Sequence, residues 1–204
     1  MSSTSNFGIQ LVAFSDELYN AWQKSFNGIA DVTISHGDIL TFRADAIVSP
    51  ANSFGYMDGG LDLKYSQCFG WELEKKLRTH LETYHFGELP VGQAVIIPTG
   101  PIDQHEIRYL ISAPTMRVPM RVAESPNAYL AFKAVIHAVL QHNQSSSDKI
   151  TSVLCPGLGT GEGKMPAQRC ARQMLKAYET CLGGKMETRG GLAQAVRNHM
   201  ELLK

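Results

Sequence analysis

Two stretches of the chain concentrate residue types that can grip an anion and act on it. The first, AIVSPANSFGYMDGGLD, covers residues 46–62, and the second, SVLCPGLGTGEG, covers residues 152–163. Each follows a short apolar run of strand character. Glycine lets a ligand approach the main chain, so two glycine-bearing loops at strand ends predict a cleft lined with N–H donors. Such donors are what an anionic diphosphate needs. In the second loop Gly157, Gly159, Gly161 and Gly163 alternate ahead of a helix opened by Pro166. That spacing favours an anion cradle over a set of unrelated tight turns. In the first loop a helix starting near Gly59 and Gly60 places Asp62 in its opening turn, where the carboxylate either complements the helix dipole or takes part in chemistry.

Familiar nucleotide motifs fail at single positions. A dinucleotide fingerprint starting at Gly157 meets Glu162 where it needs glycine, and one starting at Gly159 meets Lys164. A triphosphate-binding loop ending at Gly163 and Lys164 has Leu158 in place of its first glycine and Met165 in place of its hydroxyl residue. A thiol phosphatase loop built on Cys155 has Gly161 where its arginine belongs, so the thiolate lacks a phosphate clamp.

The elements that must position these loops read as alternating strands and helices. Apolar runs at 9–14, 32–35, 46–49, 94–97, 109–113 and 150–155 have the character of strands buried on both faces. Ser15 offers an N-cap for a helix to about Phe26, with Leu18, Trp22 and Phe26 on one face. Ser125 and Pro126 open a second helix, with Phe132, Val135, Ile136, Val139 and Leu140 at helical spacing as far as about Asn143. Pro166 opens a third, carrying an apolar stripe from Ala167 to Leu182 and stopped by Gly183 and Gly184. Residues 144–149 and 185–191 read as surface loops, and a last amphipathic segment carries Leu192, Val196 and Leu203. The expected fold class is α/β: a three-layer α/β/α sandwich with a mixed, mainly parallel sheet. Its ligand is expected beyond the carboxyl ends of the strands.

Composition narrows the function classes. The 204 residues, 44% of them hydrophobic, suit a single unit with a sizeable core, and 19 basic residues balance 19 acidic ones. Zero formal charge gives no global field for a nucleic-acid duplex, so a phosphate ligand is expected to be held by local dipoles. The four cysteines include no CxxC pair, and no histidine completes a zinc spacing; the thiols are expected to be reduced and mostly buried, and no metal or cofactor is expected. The start, MSSTSNFGIQLVAF, lacks a signal-peptide pattern and no run reaches membrane-spanning length, so the expected location is cytoplasmic, or nuclear in a eukaryote.

Four ordered motifs carry a resemblance to the macrodomain family, the ADP-ribose-binding module. Gly37, Asp38 and Ile39 resemble the family's opening signature, and DAIVSPAN at 45–52 resembles its DAIVNAAN strand and turn. DGGLD at 58–62 resembles its GGGVD segment, and PGLGTGEG at 156–163 resembles its phosphate-wrapping second loop. Together with GYMDGGLDLKYSQCFGW, ISAPTMRVP and PGLGTGEGKMP, they look closest to a bacterial-type branch with an extra strand and helix at 9–26 and a helical extension at about 191–204. The resemblance implies that Asp38 accepts from the adenine amino group with Ile39 beside the base. It also implies that Asn52 bonds the distal ribose and that Gly59, Gly60 and Leu61 line that ribose and its phosphate. The backbone of Gly159, Thr160, Gly161 and Glu162 then meets the diphosphate, with Gly157 and Gly163 flanking it.

The chain departs from the family at several of these positions. Asp58 stands where the family has the first glycine of its triplet, Ser49 replaces the first Asn of the NAAN turn, and Pro50 stiffens that turn. Gly163 replaces an aromatic cap over the ribose, leaving Phe54 or Tyr56 to cover the ligand from the other side. Asp62 matches the hydrolytic branches that use an aspartate after the glycines, while the paired-glutamate branch finds no match. The implied function is ADP-ribose binding with hydrolysis of mono-ADP-ribose from protein side chains, Asp62 being the first catalytic choice and Asp58 the second. If the two carboxylates lie close, their repulsion is expected to divide acid and base roles. The alternatives are a reader that binds ADP-ribose without cleaving it, and a structural protein that keeps only the fold. Thr115, Met116 and Arg117 follow a buried strand and either rim the cleft or, for Arg117, sit in solvent.

Overall fold

The computed structural model describes residues 7–100, 106–186 and 190–204. Six strands form one sheet: β1 (Gly8–Ala13), β2 (Val32–His36), β3 (Ala46–Ser49), β4 (Val95–Pro98), β5 (Tyr109–Ser112) and β6 (Ser152–Cys155). Their spatial order is β2-β1-β6-β3-β5-β4, all parallel except the edge strand β4, which runs antiparallel to β5. The strand and helix expected at 9–26 are β1 and the helix at Asp16–Ser25, and β1 sits inside the sheet between β2 and β6.

Side chains alternate between two layers as strand geometry requires. Ala46 and Val48 face a core shared with α1 (Asp16–Ser25), α4 (Asn127–Ser145) and α5 (Ala167–Cys181). Ile47 faces the opposite core, filled by Tyr65 of α2 (Gly60–Phe69) and by Leu73, Leu77 and Leu81 of α3 (Glu72–His85). The sandwich is thus the mixed, mainly parallel α/β/α arrangement the pattern predicts. Ser15 caps α1, its Oγ accepting from Leu18 N at 3.3 Å. Ser125 Oγ accepts from Asn127 N at 3.3 Å, so α4 begins one residue after Pro126 rather than at it.

Three differences from the sequence expectation have physical reasons. Helix α3 is not among the expected helices, although Leu73, Leu77 and Leu81 recur at four-residue spacing and are all buried. The C-terminal segment is a helix, α6 (Gly191–Leu202), but Leu192 and Val196 point outward, Leu192 being 82% exposed, and Leu202 is the buried residue. That helix is tied down at its end: Gln173 Nε2 donates to Leu202 O at 2.8 Å, and Arg172 Nε donates to Glu201 O at 3.2 Å. The thiols divide evenly, Cys155 and Cys170 being buried and Cys68 and Cys181 partly so, all four unbridged. Among the described residues no helix is long and apolar enough to cross a membrane.

At the amino ends of the strands Asp45 stitches three of them together. Its Oδ1 accepts from Arg108 Nη2 at 2.7 Å, and its Oδ2 accepts from Thr151 N at 2.7 Å, Thr151 Oγ1 at 2.7 Å and Ser152 N at 3.1 Å. Partial burial pushes the Asp45 carboxyl up, but the Thr151 and Arg108 hydrogen bonds and the Arg108 charge outweigh it and hold the pKa at about 2. A carboxylate with a lowered folded pKa adds stability above its unfolded pKa and loses it as pH falls through the folded value. Asp45→Ala is expected to cost about 1–3 kcal/mol at neutral pH, from the loss of charge-assisted hydrogen bonds. Asp45→Asn should flatten the fall in stability between about pH 4 and pH 2. Urea denaturation followed across that range checks both.

Candidate functional site

The parallel strands send their following loops to one edge, and the cleft lies there. Residues after β1 (Phe14, Ser15), β2 (Gly37, Asp38), β3 (Pro50, Ala51, Asn52) and β6 (Pro156, Gly157) line a cavity of about 810 Å³. This is the size range of small-molecule and cofactor sites. The residues given catalytic or ligand-binding roles in the sequence analysis lie on its wall: Asp38, Ile39, Asn52, Asp58, Gly59, Gly60, Leu61, Asp62, Gly157, Gly159, Thr160, Gly161, Glu162 and Gly163. A smaller hollow of about 330 Å³ lies at the opposite end of β1, β2 and β6, away from both loops.

The second loop is shaped by close approach. Gly159 has φ 71°, a left-handed conformation that side chains rarely adopt, and its carbonyl accepts from Met165 N at 2.9 Å. A Cβ on Gly163 would stand 2.5 Å from Gly159 O and 2.6 Å from Val122 Cγ2, so only glycine closes the loop on itself. Among the described residues none accepts from the backbone N–H of Thr160, Gly161, Glu162 or Gly163. Those donors edge the cavity. On the facing wall α2 begins at the N-cap Gly59 with no side-chain cap, so its first-turn N–H groups also border the cavity. Two sets of main-chain donors therefore meet across one cleft whose lining carries a single cation, Lys64, among the described residues.

Several side chains have partners that the sequence did not disclose. Asp38 caps the short 3-10 turn Ile39–Thr41, its Oδ1 accepting from Leu40 N at 3.1 Å, and its Oδ2 lies 3.6 Å from Lys64 Nζ. Lys64 Nζ also stands 5.5 Å from the ring centroid of Phe14, an aromatic on the cavity wall that is 79% exposed. Asn52 is largely occupied by its own loop: Oδ1 accepts from Phe54 N at 3.1 Å and Tyr56 N at 3.4 Å, and Nδ2 donates to Tyr56 O at 2.8 Å. One Nδ2 hydrogen is then left over for a ligand. Tyr56 lines the cavity, whereas Phe54 does not and packs under Arg117 at 5.0 Å. Arg117 turns from the cleft to form a two-pronged pair with Glu88 at 2.7 and 3.0 Å, while Thr115 and Met116 do line the cavity.

Asp62 differs from the other carboxylates on the wall. It sits in the first turn of α2, only 8% exposed, and its Oδ1 accepts from Ser49 Oγ at 2.6 Å. Burial raises its pKa to about 7; the Ser49 hydrogen bond lowers it, and the nearby Glu74 charge raises it. The like charge acting on Asp62 is thus Glu74, not Asp58. The expected acid and base division between Asp58 and Asp62 is corrected: Asp58 is solvent-exposed on the loop before α2, where water screens it, whereas Glu74 reaches in from α3. Glu74 is fixed there by Met57 N, which donates to its Oε2 at 2.8 Å. Neither Ser49 nor Glu74 was identified from the sequence as part of the site. Ser49 was visible as a departure in the turn, but Glu74 lies on the unanticipated helix.

Because the folded pKa of Asp62 exceeds its unfolded value, its contribution favours folding at low pH. That contribution is lost as pH rises from about 4 through 7. Asp62→Asn keeps an acceptor for Ser49 Oγ and removes the titration. The variant is expected to be insensitive to this part of the pH profile and more stable than wild type at pH 8, by on the order of 4 kcal/mol for a rise of about three pKa units at about 1.4 kcal/mol each. Chemical denaturation at pH 5 and pH 8 measures the difference, and equal pH dependence in both proteins would contradict the assignment.

A family model for the macro domain matches residues 48–174, which includes both glycine loops. A protein of Aquifex aeolicus is 32% identical over 146 residues, covering 72% of this chain and 79% of its own length. A DNA ADP-ribosyl glycohydrolase of Thermus aquaticus is 20% identical over 147 residues, covering 72% of this chain and 38% of its own length. Among solved structures, the Trypanosoma brucei macrodomain in complex with ADP-ribose superposes with a TM-score of 0.52 at 21% identity, over 70% of this chain and 55% of that one. With its sheet order, its two loops and a family match across more than half its length, the chain belongs to the macro domain family.

Proposed function

We propose that the protein binds ADP-ribose in this cleft and hydrolyses mono-ADP-ribose from modified protein side chains. The observation that carries the reading is Asp62: a nearly buried carboxyl with a pKa of about 7, on the wall of a cleft edged by two sets of main-chain donors. Structural relatives in the family bind ADP-ribose, as the Trypanosoma brucei complex states of that protein. The cleft suits a diphosphate held without basic side chains, since N–H groups of the second loop and of the first turn of α2 supply the positive ends of dipoles. Asp38 and Ile39 then take the base end, and Asn52, Gly59, Gly60 and Leu61 the distal ribose. The lining carries the exposed carboxylates of Asp58 and Glu162, which disfavour a polyanionic nucleic-acid strand.

The chemistry follows from charge. As the bond at C1″ breaks, the anomeric carbon gains positive charge, and an ionised Asp62 stabilises it. With Oδ1 engaged by Ser49, Oδ2 is the oxygen available to take a proton from water. The water oxygen bonds to C1″, the side-chain atom leaves with the electron pair of the broken bond, and the proton taken by Asp62 passes to that leaving group. A pKa of about 7 keeps both forms of the carboxyl populated near neutrality, as proton transfer in each direction requires.

Two substitutions test the reading. Gly161→Glu places a side chain where a Cβ meets open space, so the fold tolerates it while a carboxylate enters the diphosphate cradle. Calorimetry should find ADP-ribose affinity lowered at least tenfold, or about 1.4 kcal/mol; unchanged affinity would place the diphosphate elsewhere. Asp62→Ala should lower turnover of an ADP-ribosylated protein by about 10²–10⁴-fold while ADP-ribose still binds. Binding by wild type without turnover of any linkage would make the protein a reader.

A further inference from the structure

Ser49 closes β3 with its side chain fully buried, and its hydroxyl reaches Asp62 Oδ1 at 2.6 Å. Among the described residues it is the one side chain that donates to that carboxylate. The other polar groups around Asp62 are turned elsewhere. Tyr65 donates its hydroxyl to Val48 O at 3.1 Å, and burial holds its phenol well above the ordinary range and therefore neutral. Lys64 Nζ stands 3.6 Å from Asp38 Oδ2, and the thiol of Cys155, at the end of β6, is kept neutral by burial. From α3, Glu74 faces Asp62 with a like charge, its own Oε1 lying 3.9 Å from Arg78 Nη1 and its Oε2 fixed by Met57 N. Asp58 is on the exposed loop. Asp62 thus has one donor from the sheet and one opposing charge from the helix behind it, and the two act in opposite directions on its ionised form.

We propose that Ser49 is a positioning residue for Asp62: its hydroxyl anchors Oδ1, leaves Oδ2 to the cleft, and sustains the ionised carboxylate against burial and the facing Glu74. This rests on the reading of Asp62 as the catalytic carboxylate, and it assigns a task to the serine that replaces asparagine in the turn. Packing alone does not account for the contact, because an oxygen–oxygen separation of 2.6 Å between a hydroxyl and a carboxylate is a charge-assisted hydrogen bond.

The test separates the two readings by measuring the carboxyl directly. The Asp62 side-chain ¹³C shift is followed against pH in the unliganded full chain, assigned by its loss in Asp62→Asn. Wild type is compared with Ser49→Ala, Ser49→Thr and Glu74→Gln. The Ser49→Ala midpoint is expected to rise by about half a pH unit or more, Ser49→Thr to stay near wild type, and Glu74→Gln to fall. If wild type hydrolyses ADP-ribosylated protein, the acidic limb of its pH–rate profile should move with these midpoints. An unmoved midpoint in Ser49→Ala, or a rise in Ser49→Thr as large as in Ser49→Ala, overturns the role of the hydroxyl. A midpoint that moves as expected, with no turnover by any form, upholds the Ser49 contact and overturns the hydrolase reading instead. Should Ser49→Ala fail to fold, Ser49→Cys, whose thiol is only a weak donor, decides the same point: a raised midpoint upholds the role of the hydroxyl, and a midpoint unmoved from wild type overturns it.

Discussion

Parallel pairing of β6 between β1 and β3 is the constraint on which the cleft depends. Ile9 aligns with Val153, and Val153 in turn with Ala46, so segments more than a hundred residues apart in the chain share one ladder. In a parallel array every strand ends at the same edge, and the chain must leave there by a loop. The glycine loop after β6 is thereby set beside the turn after β3 and the start of α1 after β1. Asp45 holds the other end of β3 and β6 and ties β5 to them, its hydrogen bonds to Thr151, Ser152 and Arg108 fixing where those three strands begin.

Electrostatics at that edge is unusual for a site suited to an anion. The lining includes Asp38, Asp58, Asp62 and Glu162 against Lys64, so on the proposed reading the attraction for phosphate comes from oriented N–H groups and not from net charge. This agrees with the neutral composition of the whole chain. It also gives meaning to the difference between the carboxylates. Lys64 partly neutralises Asp38, water screens the exposed Asp58 and Glu162, and Asp62 is withdrawn from water against the sheet. Withdrawal makes Asp62 responsive to its immediate neighbours, because a group out of solvent feels a single hydrogen bond or a single charge strongly.

Much of the fold was legible because its signals are local. Strand β3 falls on residues 46–49 as the apolar run predicts, and Ser15, Ser125 and Pro166 mark the openings of α1, α4 and α5. Helix α3 was equally written, in Leu73, Leu77 and Leu81, but its N-cap is Trp71, which offers no capping side chain, so no start signal marks it. The outward turn of Leu192 and Val196 was not legible: an amphipathic stripe states that a helix has an apolar face, not that a partner surface covers it. The same limit applies to Asn52, whose side chain serves its own loop, and to Arg117, which Glu88 holds away from the cleft.

By itself the sequence determined that the two glycine loops border the cleft, since loops that follow strands of a parallel sheet are delivered to its carboxyl edge whatever fills the core. It determined the family for the same reason, the ordered motifs being the loops. Only the tertiary structure decided which carboxylate is set apart. Asp62 and Asp58 are four positions from each other in one motif, yet one faces water and the other is buried between Ser49 on β3 and Glu74 on α3. The protonation of a carboxyl is set by desolvation and by charges within a few ångströms, and both are properties of packing between elements that the order of residues along the chain does not express.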